Sequence, residues 1–284
     1  MPYTQNEGAD LYWEAHGSGK PILLIMGLSF TLEMWFRILP ALTARHRVIL
    51  FDNRGMGRSS VPPGPYSIPK MARDALAVLK AAGATAAHVI GASMGGMIAQ
   101  ELALRHPKAV RSLLLGCTTH SGLFGRWPDF TVVPRRRAPS RLERERSLIK
   151  LLYADTTLPH LIEQDLHIRC GCQWTTKGFL NQFAGILMWS AYRRLPRIKV
   201  PTLVVHGDQD RLVPAQNGRV LARRIPGARF ELVNNAGHVM TTDQPELCSN
   251  LMLDFLQRHA TEDFTQHTAE QPSALGSVKA LTTT

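Results

Sequence analysis

Five stretches of the chain carry continuous apolar runs: "PILLIMG" from Pro21, "RHRVILFD" ending at Asp52, "AHVIGAS" from Ala87, "VRSLLLGC" from Val110 and "VPTLVVHGDQD" from Val200. A strand that is apolar on successive residues must be covered on both faces, which is the condition of a parallel sheet packed between helices. Helical spacing lies between these runs, over Tyr66–Ala84 and over "MGGMIAQELALRH" up to Pro107. Apolar residues there recur at the period of a helix, and glycine or proline marks each end. Strands alternating with helices predict an α/β domain. The pattern stops after Cys117, resumes at "VPTLVVHGDQD", and closes with a helix near Ala215–Arg224, the strand "ARFELVNN" and a helix over Gln244–Arg258. The expected organisation is therefore a discontinuous core, 1–117 and 197–260, interrupted by an insertion, 118–196. Helices are expected over Arg141–Tyr153 and Thr157–Cys170 within it. The polar stretch 261–284 reads as a disordered tail.

Composition removes several classes of function. No run approaches the roughly 20 apolar residues of a membrane span, and "MPYTQNEGAD" lacks the features of a signal peptide. The expectation is a cytoplasmic protein without membrane partners, monomeric or homodimeric. Cys117, Cys170, Cys172 and Cys248 are too few and too scattered for a disulfide scaffold or a zinc site, so free thiols are expected. The net charge is +11 and is dense between Arg126 and Lys150. No nucleic-acid motif accompanies it. Arg135 to Arg137, Arg141, Arg144 and Arg146 read as a solvated surface, or as a guide for anionic substrates.

Chemistry enters with Gly91-Ala92-Ser93-Met94-Gly95, a G-x-S-x-G sequence between a buried strand and a helix. A sharp turn at such a junction lifts a serine hydroxyl above the sheet edge, and glycines two positions either side avoid collision with it. The alternative is a tight turn with an incidental serine. A nucleophilic serine needs a base. His238, in "NNAGHVM" after a late strand, would emerge at the same sheet edge as Ser93. The base in turn needs an acid, and "HGDQDRLVP" offers Asp208 and Asp210 beyond another parallel strand. The backbone N–H of Met94, directly after the serine, is a candidate oxyanion donor. Trp127, Trp174, Phe179 and Trp189 are candidate pocket walls within the insertion, and each reads equally well as core.

The stretches "GASMGG", "HGDQDRLVP" and "NAGH", in the chain order Ser…Asp…His, closely resemble the α/β-hydrolase family. The resemblance implies a mostly parallel eight-stranded sheet flanked by helices, with a small, mainly helical cap inserted after strand 6. It implies Asp210 as the acid, leaving Asp208 as a turn residue. It also places a second oxyanion donor at Leu28 N–H, in Met26-Gly27-Leu28, where relatives often carry His-Gly. "FDNRGMGRSS" resembles the family's D-x-R-G-x-G-x-S loop, in which Asp52 and Arg54 would hold loops together or, alternatively, contact substrate. Within that family, "MGGMIAQELALRHP" and "RSSVPPGPYSI" resemble bacterial carboxylesterases and 3-oxoadipate enol-lactonases, which implies a small-molecule ester or lactone substrate and no cofactor or metal. Haloperoxidase or carbon–carbon hydrolase chemistry, and a ligand receptor with little turnover, share the same motifs.

Overall fold

The computed structural model describes residues 2–126, 128 and 140–259. Eight strands form one sheet: β1 (Tyr3–Asn6), β2 (Ala9–His16), β3 (Lys20–Ile25), β4 (His46–Phe51), β5 (Ala87–Ala92), β6 (Val110–Gly116), β7 (Thr202–Gly207) and β8 (Arg229–Val233). Their spatial order is β1-β2-β4-β3-β5-β6-β7-β8. The first two pairings, β1 with β2 and β2 with β4, are antiparallel, and the rest are parallel. The β1–β2 hairpin turns through Glu7 and Gly8, both at positive φ. This suits a two-residue turn between right-twisted strands. Its first strand has no continuous apolar run and escapes the sequence pattern.

The apolar runs alternate between two cores, as a period of two requires. Ile22 and Leu24 of β3, with Val48 and Leu50 of β4, face one side. Leu23, Ile25, Ile49 and Phe51 face the other. On the latter side pack α2 (Ile68–Ala81) and α3 (Met94–Arg105). On the former pack α1 (Leu39–Thr43) and α10 (Pro245–Arg258). Ser67 begins α2 by accepting the Lys70 amide, so this helix starts two residues later than the periodicity suggests. No described helix is long and apolar enough to cross a membrane.

Between β6 and β7 lie α4 (Arg141–Ser147), α5 (Ile149–Leu152), α6 (Pro159–Gly171) and α7 (Thr176–Leu187). The helix expected over Arg141–Tyr153 is two short ones, with Tyr153 extended. The next begins at Pro159, whose missing N–H is harmless in a first turn. After β7 come α8 (Gln216–Arg224) and, following β8, the one-turn α9 (Met240–Asp243). The stretch 261–284 lies outside the described residues.

The loop after β4 is held by buried charge. Asp52 accepts the amides of Leu32 and Arg58, both at 2.9 Å. Arg54 forks onto Asp74 of α2 at 2.5 and 2.6 Å, and both side chains are fully buried. Burial pushes the Asp74 carboxyl up against the pull of Arg54, so the pair is bought by geometry rather than by solvent. Removing one partner leaves an uncompensated guanidinium in the core. Asp74→Ala is expected to cost about 3–5 kcal/mol at neutral pH, measured by urea unfolding. A loss below about 1 kcal/mol would mean that water reaches Arg54.

Candidate active site

Ser93 stands between β5 and α3 at φ 55°, ψ −121°. This is a conformation that non-glycine residues hold only under constraint. The constraint is close packing. A Cβ on Gly91 would collide with the Gly95 carbonyl, and one on Gly95 with the Ile25 carbonyl. Ser93 N–H donates to Gly116 O at 2.9 Å, and its carbonyl accepts the Thr118 hydroxyl at 2.6 Å.

The loops after β7 and β8 bring Asp210 and His238 together at the same sheet edge. His238 Nδ1 lies 2.9 Å from Asp210 Oδ2. The other oxygen, Asp210 Oδ1, accepts the amides of Leu212 and Val213 at 3.0 and 2.8 Å. A carboxylate so engaged, and itself buried, has one oxygen left for the imidazole. Asp208 instead accepts the Ala236 amide at 3.1 Å, which ties the two loops to each other.

Ser93 and His238 line one cavity of about 370 Å³, together with Leu28 and Met94. Met94 opens α3, so its N–H is one of the donors that a helix leaves unpaired. The Leu28 loop lies against the serine, where a Cβ on Gly27 would come within 2.9 Å of Ser93 Cβ. Met26 lies in the same loop and also lines the cavity. Its carbonyl accepts Asn53 Nδ2 at 2.8 Å, while Gln182 Oε1 faces Ser29 N–H at 3.5 Å. Gln182 is anchored by donating to Arg54 O at 2.9 Å. Asn53 and Gln182 thus brace the loop in a way that no motif announces.

The rest of the wall is mostly apolar, with Phe30, Trp35, Leu152 and Met240 among its residues. Of the four aromatic residues expected there, Phe179 lines the cavity. Phe183 joins it, stacked one helical turn away at 5.9 Å between ring centres. That pair is legible in retrospect as aromatics at i, i+4. Trp189 does not line the cavity. Its indole N–H donates to the buried Glu101 at 2.8 Å, which draws the ring into the core beside α3. Trp174 also lies outside, with the Arg144 guanidinium 4.0 Å above its ring. Trp127 lies outside the described residues, as do Arg135 to Arg137. Arg141 donates to the carbonyls of Cys172 and Arg169, and Arg146 meets Glu163 at 3.3 Å, so neither faces the cavity. Two other arginines do line it: Arg126, which opens the basic run, and the buried Arg169, which the sequence did not single out and which is paired with Glu145.

Among the described residues, one group could gather a metal ion, Cys117, Asp210 and His238, whose ligand atoms lie within 4.8 Å of one another. The Asp210–His238 hydrogen bond already engages two of them, and burial pushes the Cys117 thiol well up. All four cysteines are free.

A family profile described as the alpha/beta hydrolase fold matches residues 20–245. A protein of Azorhizobium caulinodans named as a candidate carbamate hydrolase is 37% identical over 263 residues, covering 90% of this chain and 98% of that one. A poly(3-hydroxyalkanoate) depolymerase of Ectopseudomonas oleovorans is 29% identical, covering 84% of each. Among solved structures, the enol-lactonase of Burkholderia xenovorans has a TM-score of 0.78 at 26% identity, covering 90% of this chain and 100% of its own. The chain belongs to the α/β-hydrolase fold family.

One buried histidine beside the site gives a test of its electrostatics. Burial lowers His206, at the end of β7, to about 4, against a smaller upward pull from Asp210. A folded-state value below the unfolded one means that the unfolded chain takes up the proton first. Stability then falls as pH drops from about 6.5 towards 4. Asp52 and Asp243, raised by burial to about 6, push the other way over that window. The comparison must therefore be with His206→Leu. Between pH 7 and 4.5 the wild type is expected to lose about 2 kcal/mol more than this variant in urea melts. Parallel curves would refute a neutral, buried imidazole.

Proposed function

We propose that the protein is a serine hydrolase that cleaves carboxylic esters or lactones of small molecules. The observation that carries this reading is the 2.9 Å hydrogen bond between Asp210 and His238, the latter a residue that lines the same cavity as Ser93 in its strained turn. Asp210 would hold the imidazole with its proton on Nδ1, leaving Nε2 to take the proton of the Ser93 hydroxyl as Oγ attacks the carbonyl. The amides of Leu28 and Met94 would receive the oxyanion, the latter aided by the positive end of α3. His238 then gives its proton to the departing alcohol, and water activated by the same ring frees the acid from Ser93. The reading needs no metal or organic cofactor.

The apolar wall suits an apolar acyl or aryl group. A second reading, hydrolysis of an anionic lactone of the 3-oxoadipate enol-lactone type, draws support from Arg126 and Arg169 in the wall. Values of kcat/KM for p-nitrophenyl butyrate, the enol-lactone and an aryl carbamate would separate these, with Ser93→Ala as background. The butyrate ester is expected to turn over fastest. Ser93→Ala is expected to lower kcat by about 10⁴- to 10⁶-fold, as when a triad acts as a unit. Ligand binding without Ser93-dependent turnover of any of the three would favour a receptor and sink the hydrolase reading.

A further inference from the structure

The loop that carries His238 is held from outside the sheet. The amide before it, Gly237 N–H, donates to Asp243 Oδ2 at 2.6 Å. The amide after it, Val239 N–H, donates to Leu152 O at 2.8 Å, at the end of α5. Asp243 uses its second oxygen to accept the hydroxyl of Thr157 at 2.5 Å, from the segment that joins α5 to α6. A parallel contact runs in the opposite sense, with Thr242 Oγ1 donating to the buried Asp165 of α6 at 2.6 Å. The two backbones touch directly, since a Cβ on Gly237 would come within 2.7 Å of the Tyr153 carbonyl carbon. The insertion therefore grips both amides that flank the imidazole, one of them through a carboxylate.

We propose that Asp243 is a positioning residue for His238, acting with Thr157 to hold the turn on which the imidazole is carried. This rests on the hydrolase reading above, because it assigns a purpose to the placement of His238. Carboxylate-to-amide bonds are about twice as strong as neutral ones, and Gly237 has no side chain with which to fix itself. Neither Asp243 nor Thr157 lines the cavity, so their loss should disturb the reacting geometry and leave substrate contacts intact. Burial raises Asp243 to about 6, so an assay at pH 8 reads the ionised form.

The test uses Asp243→Ala, Asp243→Asn and Thr157→Val in the full chain, with p-nitrophenyl butyrate. A displacement of about an ångström at a reacting group can cost a hundredfold in rate. Asp243→Ala is expected to lower kcat by about ten- to a hundredfold with KM within about twofold. Asparagine can still accept from Gly237 and donate to the Thr157 hydroxyl, so Asp243→Asn should stay within about threefold of wild type. Thr157→Val should fall about two- to fivefold. If Asp243→Ala does not fold, the other two variants decide. Wild-type kcat in a folded Asp243→Ala, or in Thr157→Val where Asp243→Ala does not fold, would overturn the proposal. So would a loss confined to KM, or equal damage in the alanine and asparagine variants. Hydrogen exchange at the Gly237 amide and the His238 Nδ1 proton resonance need no substrate. If wild-type protein shows no Ser93-dependent turnover, the hydrolase reading fails alone. Faster Gly237 exchange and a weakened Nδ1 signal in Asp243→Ala then uphold the positioning role, and unchanged signals reject it.

Discussion

The backbone of Ser93 is the constraint to which the surrounding structure answers. A non-glycine residue at φ 55°, ψ −121° costs on the order of 1–3 kcal/mol, and it persists only where its surroundings leave no alternative. Here the surroundings are β3, β5 and β6 at their carboxyl ends and the first turn of α3. The Gly95 backbone lies so close to the Ile25 carbonyl that no side chain fits between them. Leu28 and Met94 line the same cavity as the serine. A parallel sheet buried on both faces supplies the rigidity, and its carboxyl edge supplies a place for loops to meet.

Around that fixed point the other groups depend on loops, and each loop is secured by buried polar atoms. Asn53 and Gln182 hold the backbone near Leu28, and Asp208 joins the loops of Asp210 and His238. The segment around Leu152 and Thr157 completes the set from above. Most of these braces are side chain to main chain. A loop carrying unpaired amides beside a cavity would otherwise leave them unsatisfied.

The strand–helix alternation was legible in the sequence because burial on both faces writes itself as continuous apolar runs, whereas the eight-stranded sheet and the family rested on the resemblance carried by "GASMGG", "HGDQDRLVP" and "NAGH". Ser93, Asp210 and His238 could be singled out for a related reason. Each sits just past a strand that the pattern locates, so parallel direction places them at a shared edge, while the choice of Asp210 over Asp208 rested on the family resemblance. The pocket was less legible. Trp189 and Trp174 look like wall residues by composition, yet one is claimed by Glu101 and the other lies under Arg144. Arg126 showed only as the start of a basic run, and Arg169 gave no signal at all.

The amino-acid sequence by itself determined the layers of the fold and the order in which the candidate residues reach one edge, since these follow from periodicity and chain direction. Only the tertiary structure decided which side chains face the cavity, what holds the Met26 carbonyl, and which element grips the His238 loop. Those outcomes turn on contacts between residues far apart in the chain, such as Thr157 with Asp243 and Trp189 with Glu101. A hydrogen bond goes to whichever partner lies within about 3 Å, and no local pattern encodes that distance.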